Sequence, residues 1–379
     1  VNRAAWVVVG VVFLDMLGFG MLIPGVQLRL EAMGAASWLI GLVQSSTFIV
    51  QSACSPMWGR FGDAWGRKPA FVACTFLSAA SMGLYGAASG IGWVVASRLV
   101  AGFGAANVAA GQALVSGSET DRTANLGRIG AALTTGLIAG PALGGFVGAH
   151  WGNAVVGWIA CGASLTGALA AALFLPNVKT PNAADKDGKR TSLLRLNPSL
   201  RSLVALSAIA WLSLACLEGT FGRLIHAQHG YGQSEFGLLF GFESLIAVIV
   251  QGVALNWLSH RYGDTALLVG GFVFQGLGLA LTPLAPGLGA LFFTSLLYAA
   301  GSSVANPSLQ SRASLMVDDA RQGELFGVLQ SARSVGFMVG PTLGGLLFGV
   351  APSLPYFVAG AVCVAAAALV KPLVTQPRT

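Results

Sequence analysis

Charge is scarce in this chain. Only 9% of its 379 residues are Asp, Glu, Lys or Arg, against roughly a quarter in soluble domains. A soluble fold this poor in charge would lack the polar side chains to cover its surface. The same composition excludes disordered tails and disulfide-stapled scaffolds. The five cysteines, Cys54, Cys74, Cys161, Cys216 and Cys363, all sit in apolar stretches. None shares a metal-ligand spacing with another, so they are expected to be small buried hydrophobes, with no metal site. There is no G-x-S-x-G elbow, no H-E-x-x-H and no G-x-x-x-x-G-K-[ST] loop. An enzyme of those classes, or a pump driven by nucleotide hydrolysis in this chain, is therefore not expected.

What the chain has in excess is apolar length. Hydrophobic residues make up 55% of it, with 52 glycines and a mean hydropathy of +0.73. About 20 apolar residues cross a bilayer as a helix, and the strand alternation of an outer-membrane barrel is absent. Apolar runs separated by short polar breaks read as twelve spans, near 4–28, 37–58, 69–88, 92–115, 126–149, 154–175, 201–226, 234–257, 266–284, 288–311, 327–350 and 354–374. The first run is long enough to be a span, so no cleavable signal is expected.

The formal net charge of +7 reads as topology rather than nucleic-acid binding. With the N-terminus inside, cytoplasmic segments receive Arg3, Arg60, Arg67, Lys68, Arg122, Arg128, Lys179 to Arg201, Arg261, Arg312, Arg321, Lys371 and Arg378. The outside keeps only Arg29 and Arg223, while Arg98 and Arg333 lie within spans. This asymmetry predicts a multi-pass protein with both termini cytoplasmic.

One polar loop divides the chain into an N-terminal six-helix bundle at 1–176, a cytoplasmic linker at 177–200 and a C-terminal six-helix bundle at 201–379. The linker reads as a flexible tether. The halves repeat: Gly136-Leu-Ile-Ala-Gly140-Pro141-Ala-Leu-Gly144-Gly145 recurs 200 residues later as Gly336-Phe-Met-Val-Gly340-Pro341-Thr-Leu-Gly344-Gly345. At an offset of 197, Ser37 falls on Ser234 and Gly66 on Gly263. Two such repeats imply pseudo-two-fold bundles, with a substrate site between them near the midplane and alternating access.

Span 1 carries Asp15 near its middle, before Gly18, Gly20 and Pro24. A lone carboxylate at that depth is costly when charged and marks a site that exchanges a proton for a cationic or polar substrate. Arg98 in span 4 is the matching cation, a candidate to keep a nearby carboxylate ionised. Gly102, Ala105, Ala106 and Ala109 follow it at helical spacing as a smooth packing stripe. Glu218 in span 7 and Glu243 in span 8 are candidates for a second proton site or a substrate counter-ion. Gln44, Gln51, Asn107, Asn306 and Gln310 are candidate cavity polar groups, joined by Gln330 and Arg333, with Phe240, Phe242 and Tyr298 as aromatic walls. His226 and His229 read as external-loop residues.

The loop after span 2, Gly59-Arg-Phe-Gly-Asp63-Ala-Trp-Gly66-Arg67-Lys68, resembles motif A of the major facilitator superfamily, G-x-L-A-D-x-x-G-R-K/R, with Phe61 at the leucine position. Arg98 to Ala106 resembles motif B, and Gly136 to Gly145 resembles motif C of its proton-coupled exporters. The Asp15 segment, Asn306 to Gln310, and Asp318 to Gly323 are similar to the tetracycline/proton antiporters and their relatives. The resemblance implies an all-α fold of twelve transmembrane helices in two pseudo-symmetric bundles, working as a monomer in the cytoplasmic membrane. It implies export of small amphipathic compounds against protons, with the proton gradient as energy source and no cofactor. It also implies that Asp63 and Arg67 latch the outward-facing state. In the second half the motif A pattern is lost, with His260 at the place of Asp63, so that latch is expected to be weak or absent. Spans 3 and 9 lack the acids of the tetracycline carriers, so the resemblance carries fold and coupling rather than tetracycline itself. A dedicated metabolite exporter, a siderophore exporter for instance, a proton symporter for uptake and, from a different class, a non-transporting scaffold or receptor that kept the fold are the alternatives; the costly buried Asp15 and Arg98 and a full motif A argue against the last.

Overall fold

The structure, a computed structural model, describes residues 3–115, 122–176, 198–317 and 321–374. Among these the regular structure is helical, without strands, as a bilayer interior demands of a chain that must satisfy its own backbone groups. The helices are α1 (Arg3–Ala32), α2 (Ser37–Trp65), α3 (Arg67–Gly86), α4 (Ile91–Gly104), α5 (Asn107–Val115), α6 (Arg122–Phe174) and α7 (Pro198–His229). They continue with α8 (Gln233–Ile249), α9 (Leu255–Leu281), α10 (Leu288–Ser314), α11 (Gln322–Val350) and α12 (Leu354–Val374). The linker at 177–200 lies outside the described residues except for its last three, as does Asp318. Nothing is described of the Asp63 side chain.

Eight helices among the described residues are long and apolar enough to cross a membrane. Two of them hold two expected spans each. Gly152 (φ 84°, ψ 165°) divides α6, and Gly263 (φ 76°, ψ 153°) divides α9. Both angles lie in a region that a Cβ disfavours. Pro141 and Pro341 lie inside α6 and α11, and Gly152 falls at the break expected between spans 5 and 6. α2 is not among the eight helices, because Gln44, Ser45, Thr47 and Gln51 give it a polar face. Span 8 runs through a π-helical turn, Val250–Ala254, between α8 and α9.

Span 4 departs most from expectation. It breaks after Gly104 and restarts at Asn107, so Ala105 and Ala106 sit in a turn and do not continue a packing stripe.

The described chain forms two compact units. One comprises Val1–Ala35, Val43–Asp187 and Gly230–Phe240, the other Ala36–Leu42, Gly188–His229 and Gly241–Thr379. The first seven residues from Ala36 thus belong with the second unit, and the start of α8 with the first. In the first unit α6 packs on α1 and α3, over a core that includes Val8, Val12, Phe71, Ile129 and Leu175. In the second, α11 packs on α7, and α9 on α10 and α12.

The repeated glycines set these approaches. A Cβ at Gly140 would lie 2.6 Å from Gly20 Cα, and one at Gly136 2.9 Å from Leu17 N. In the second unit a Cβ at Gly340 would lie 2.7 Å from Ala215 Cβ, and one at Gly336 2.7 Å from Leu212 N. Small residues allow helix backbones to approach this closely. On the neighbouring face, Gly145 meets Gly237, while Gly345 meets Gly41. The two units therefore repeat the same pairings. Because Gly20 meets Pro141 as Gly219 meets Pro341, α1 and α7 correspond at an offset of 199. That register places Leu214 at the position of Asp15, so the carboxylate of α1 has no counterpart in α7.

Candidate functional site

Asp15 is 1% exposed in the interior of the first unit. Its Oδ1 accepts a hydrogen bond from Ser164 Oγ of α6 at 2.6 Å, and its Oδ2 accepts one from Asn107 Nδ2. The Ser78 hydroxyl of α3 faces the same carboxylate, and Met82 Sδ lies 3.4 Å from Ser164 Oγ. Four helices thus converge on one acid, and its partners are neutral. A serine hydroxyl both donates and accepts, and an amide carries both functions. This shell can therefore serve a carboxylate and a carboxylic acid alike.

Asn107 holds its position because span 4 breaks there. As the first residue of α5, it accepts the Val108 N–H on its own Oδ1 at 2.8 Å, which turns its Nδ2 toward Asp15. A broken helix leaves carbonyls without their usual partners, and α2 supplies donors to them. Trp58 Nε1 donates to Phe103 O at 2.6 Å, and Gln51 Nε2 donates to Ala105 O at 3.2 Å. Thr47 Oγ1 donates to Arg98 O at 3.2 Å. These residues are four and seven apart and share a face of α2. The polar content that lowers the hydropathy of α2 is what holds the break open.

Arg98 does not join Asp15. It is 6% exposed and lies 5.8 Å from the centre of the Tyr85 ring, with Arg29 at 4.8 Å from the same ring. Its Nη2 donates to Ser97 Oγ at 3.3 Å. The groups acting on Asp15 are Ser164, Ser78 and Asn107. Arg29 itself donates to Tyr85 O at 2.6 Å and to Ala88 O, closing the C-terminus of α3.

The other expected acids meet in the second unit. Glu243 is 9% exposed and accepts from Ser295 Oγ of α10 at 2.8 Å. It feels the charge of Glu218, which in turn feels that of Arg333. Tyr298 is buried, its hydroxyl has no hydrogen-bond partner among the described residues, and it senses both carboxylates. Asn306 and Gln310 line a pocket with Trp211, Arg333 and Gln330. Of the remaining cavity candidates, Gln44 has a buried Nε2 without a hydrogen-bond partner among the described residues, and Phe240 stacks on Phe236 at 4.6 Å. The histidines His226 and His229 lie in the last turn of α7.

At motif A, Gly66 (φ 106°) makes the turn from α2 to α3, where Arg67 and Lys68 open the next helix. Phe61 stacks on Trp65 at 6.1 Å and meets Trp58 edge-on at 5.6 Å. Gly263 repeats this turn in the second half. There Asp264, at the place of Arg67, accepts from Ser259 Oγ at 2.5 Å and from Ser311 Oγ at 2.6 Å. The second-half turn therefore has a clasp of its own, made from an acid and two hydroxyls.

Ser164, Ser78 and Ser295 were missed in the sequence because a serine within a span usually bonds to its own helix. Trp211, which lines the pocket of Arg333, was missed as one of nine tryptophans in an apolar chain.

A multi-pass helical protein built from two repeats, with acids buried inside each, has the architecture on which secondary transporters are built. The comparisons agree. The family model for the Major Facilitator Superfamily matches residues 8–254 and 203–379, and the chain belongs to that superfamily. It is similar to multidrug resistance protein 1 of Bacillus subtilis (strain 168), at 23% identity over 92% of this chain and 90% of that one. It is also similar to the class G tetracycline resistance protein of Vibrio anguillarum, at 30% identity over 87% and 86%. Among solved structures, the nucleoside transporter NupG shares the fold with a TM-score of 0.79 and 15% identity, over 99% of this chain and 100% of that one. The chain is thus a transporter and not an enzyme.

Proposed function

We propose that the protein exports small amphipathic compounds across the cytoplasmic membrane in exchange for protons. The observation that carries this reading is the Asp15 shell, a fully buried acid held by neutral donors at the break in span 4. An ion pair would lock such an acid in its charged form; hydroxyl and amide partners leave both protonation states hydrogen-bonded. The names of the two relatives, a multidrug and a tetracycline resistance protein, support the direction and the substrate type. In this cycle Asp15 takes the incoming proton, and Asn107 transmits the change to the break in span 4. The motif A turn stabilises the outward-facing state, and the packed glycines around Pro141 and Pro341 are the sliding contacts. Glu218 and Glu243 form the second proton site or the substrate counter-ion. The protein acts as a monomer, with both termini cytoplasmic.

The test is reconstitution into liposomes enclosing a pH-sensitive dye, challenged with cationic, zwitterionic and neutral amphipaths. Several compounds are expected to move protons in the wild type and none in Asp15→Asn. Proton movement that survives Asp15→Asn would remove the central step.

A further inference from the structure

We propose that the pocket between α7, α10 and α11 binds a substrate through a carboxylate on a single aromatic ring. It is framed by Trp211, Asn306, Gln310, Phe326, Gln330 and Arg333, all within the second unit. The substrate role rests on the export reading above; the binding itself does not.

Three observations converge on an anion. No Asp or Glu is among the described residues that line the pocket, and its charged group is Arg333. The guanidinium carbon of Arg333 lies 4.3 Å from the centre of the Trp211 ring and 5.6 Å from that of Phe337. Arg333 makes no hydrogen bond to another described residue. A guanidinium held by aromatic rings keeps its N–H fork for a planar oxyanion. Around it stand the side-chain amides of Asn306, Gln310 and Gln330, which donate to oxygen without adding charge. Glu218, whose carboxyl feels the charge of Arg333, is not among the residues that line the pocket.

Size narrows the class further. The pocket encloses about 160 Å³, close to the roughly 150 Å³ of an engineered cavity that admits one benzene ring. Trp211 and Phe326 supply the apolar walls for that ring. By the topology expected from the basic residues, the early turns of α7 and α11 and the last turns of α10 face the cytoplasm. That is the side from which an exporter loads.

The probes are benzoate, benzamide and benzylammonium, titrated by calorimetry into the purified full-length protein in nanodiscs without a proton gradient. Benzoate is expected to bind at least about tenfold more tightly than the other two, the scale of a charge-assisted hydrogen-bonded pair. Arg333→Gln is expected to abolish the preference for the anion. Gln310→Phe, at an exposed lining position, is expected to fill the pocket and abolish binding while leaving Arg333 in place; it carries the test if Arg333→Gln does not fold. Absence of benzoate binding, equal affinity for benzamide, or unchanged benzoate affinity in Gln310→Phe would each overturn the assignment. Failure here alongside Asp15-dependent proton movement by other amphipaths refutes this pocket alone. Benzoate binding without any proton-coupled movement refutes proton coupling and leaves the pocket standing.

Discussion

The closest test of the packing argument is Gly140→Ala. An added Cβ would stand 2.6 Å from Gly20 Cα and 2.8 Å from both Gly20 C and Leu17 O. All three are main-chain atoms of α1, so no side-chain rotation relieves the clash. The shortest distance falls about 0.8 Å below the 3.4 Å at which ordinary contact begins, so α1 and α6 must move apart by nearly that amount. Overpacking of this kind costs about 1–3 kcal/mol. The helix propensity gained from alanine returns at most about 1 kcal/mol, leaving a net loss of roughly 0–2 kcal/mol against wild type and about 1–3 kcal/mol against an unhindered Gly→Ala change. Gly162→Ala is the control: it lies in the half of α6 beyond Gly152 and its Cβ meets nothing within 4 Å, so it is expected to be neutral or slightly stabilising. Thermal unfolding of the purified protein in one detergent, at a fixed scan rate, should rank Gly162→Ala at or above wild type and Gly140→Ala about 1–4 °C below Gly162→Ala. Gly340→Ala should fall with Gly140→Ala, because a Cβ there meets Ala215 Cβ at 2.7 Å and Leu212 O at 2.9 Å. If Gly140→Ala unfolds at the temperature of Gly162→Ala, the helices are not held at contact distance and the reasoning fails.

Two further outcomes follow from the local geometry. Gly66→Ala should lose about 1–3 kcal/mol to backbone strain, because φ is 106° there. Gly59→Ala, with nothing within 4 Å, should lose none, and equal melting temperatures for the two would contradict the turn. Trp58→Phe keeps the aromatic contacts of the motif A corner but removes the donor to Phe103 O; Gln51→Leu does the same for Ala105 O. Each should cost about 0.5–1.5 kcal/mol and weaken proton-coupled transport in the liposome assay by loosening the hold on Asn107. Wild-type transport in the double variant would show that the break in span 4 stands without them.

The order of the helices, the repeat and the buried acids were all legible in the amino-acid sequence. Each is a local or periodic property: apolar runs of bilayer length, glycines four apart, a Gly-rich turn at matching places in two halves. The positive φ of both Gly66 and Gly263 follows from the same local pattern. Span 4 misled. Its composition is continuous, and nothing near Ala105 in the sequence announces that Trp58 and Gln51 wait on another helix to receive its carbonyls.

Which charged group answers which was decided only by the tertiary structure. Asp15 and Arg98 looked complementary as the carboxylate and the cation of one half. In the fold Asp15 meets Asn107 and Ser164, 92 and 149 residues away in the chain, and Arg98 turns to Tyr85. Arg333 was known to lie within a span, but its place over Trp211 required α7 and α11 to be side by side. Hydropathy and periodicity report how strongly a residue prefers burial and on which face of its own helix it lies. They do not report the register between helices, and a hydrogen bond of 2.6 Å is lost with a slip of one residue along an axis that rises 1.5 Å per step. The sequence by itself determined that this is a helical membrane protein of two repeated halves. The close approach of its glycine-lined helices determined which polar groups came together around Asp15, beside Arg333 and at the helix ends.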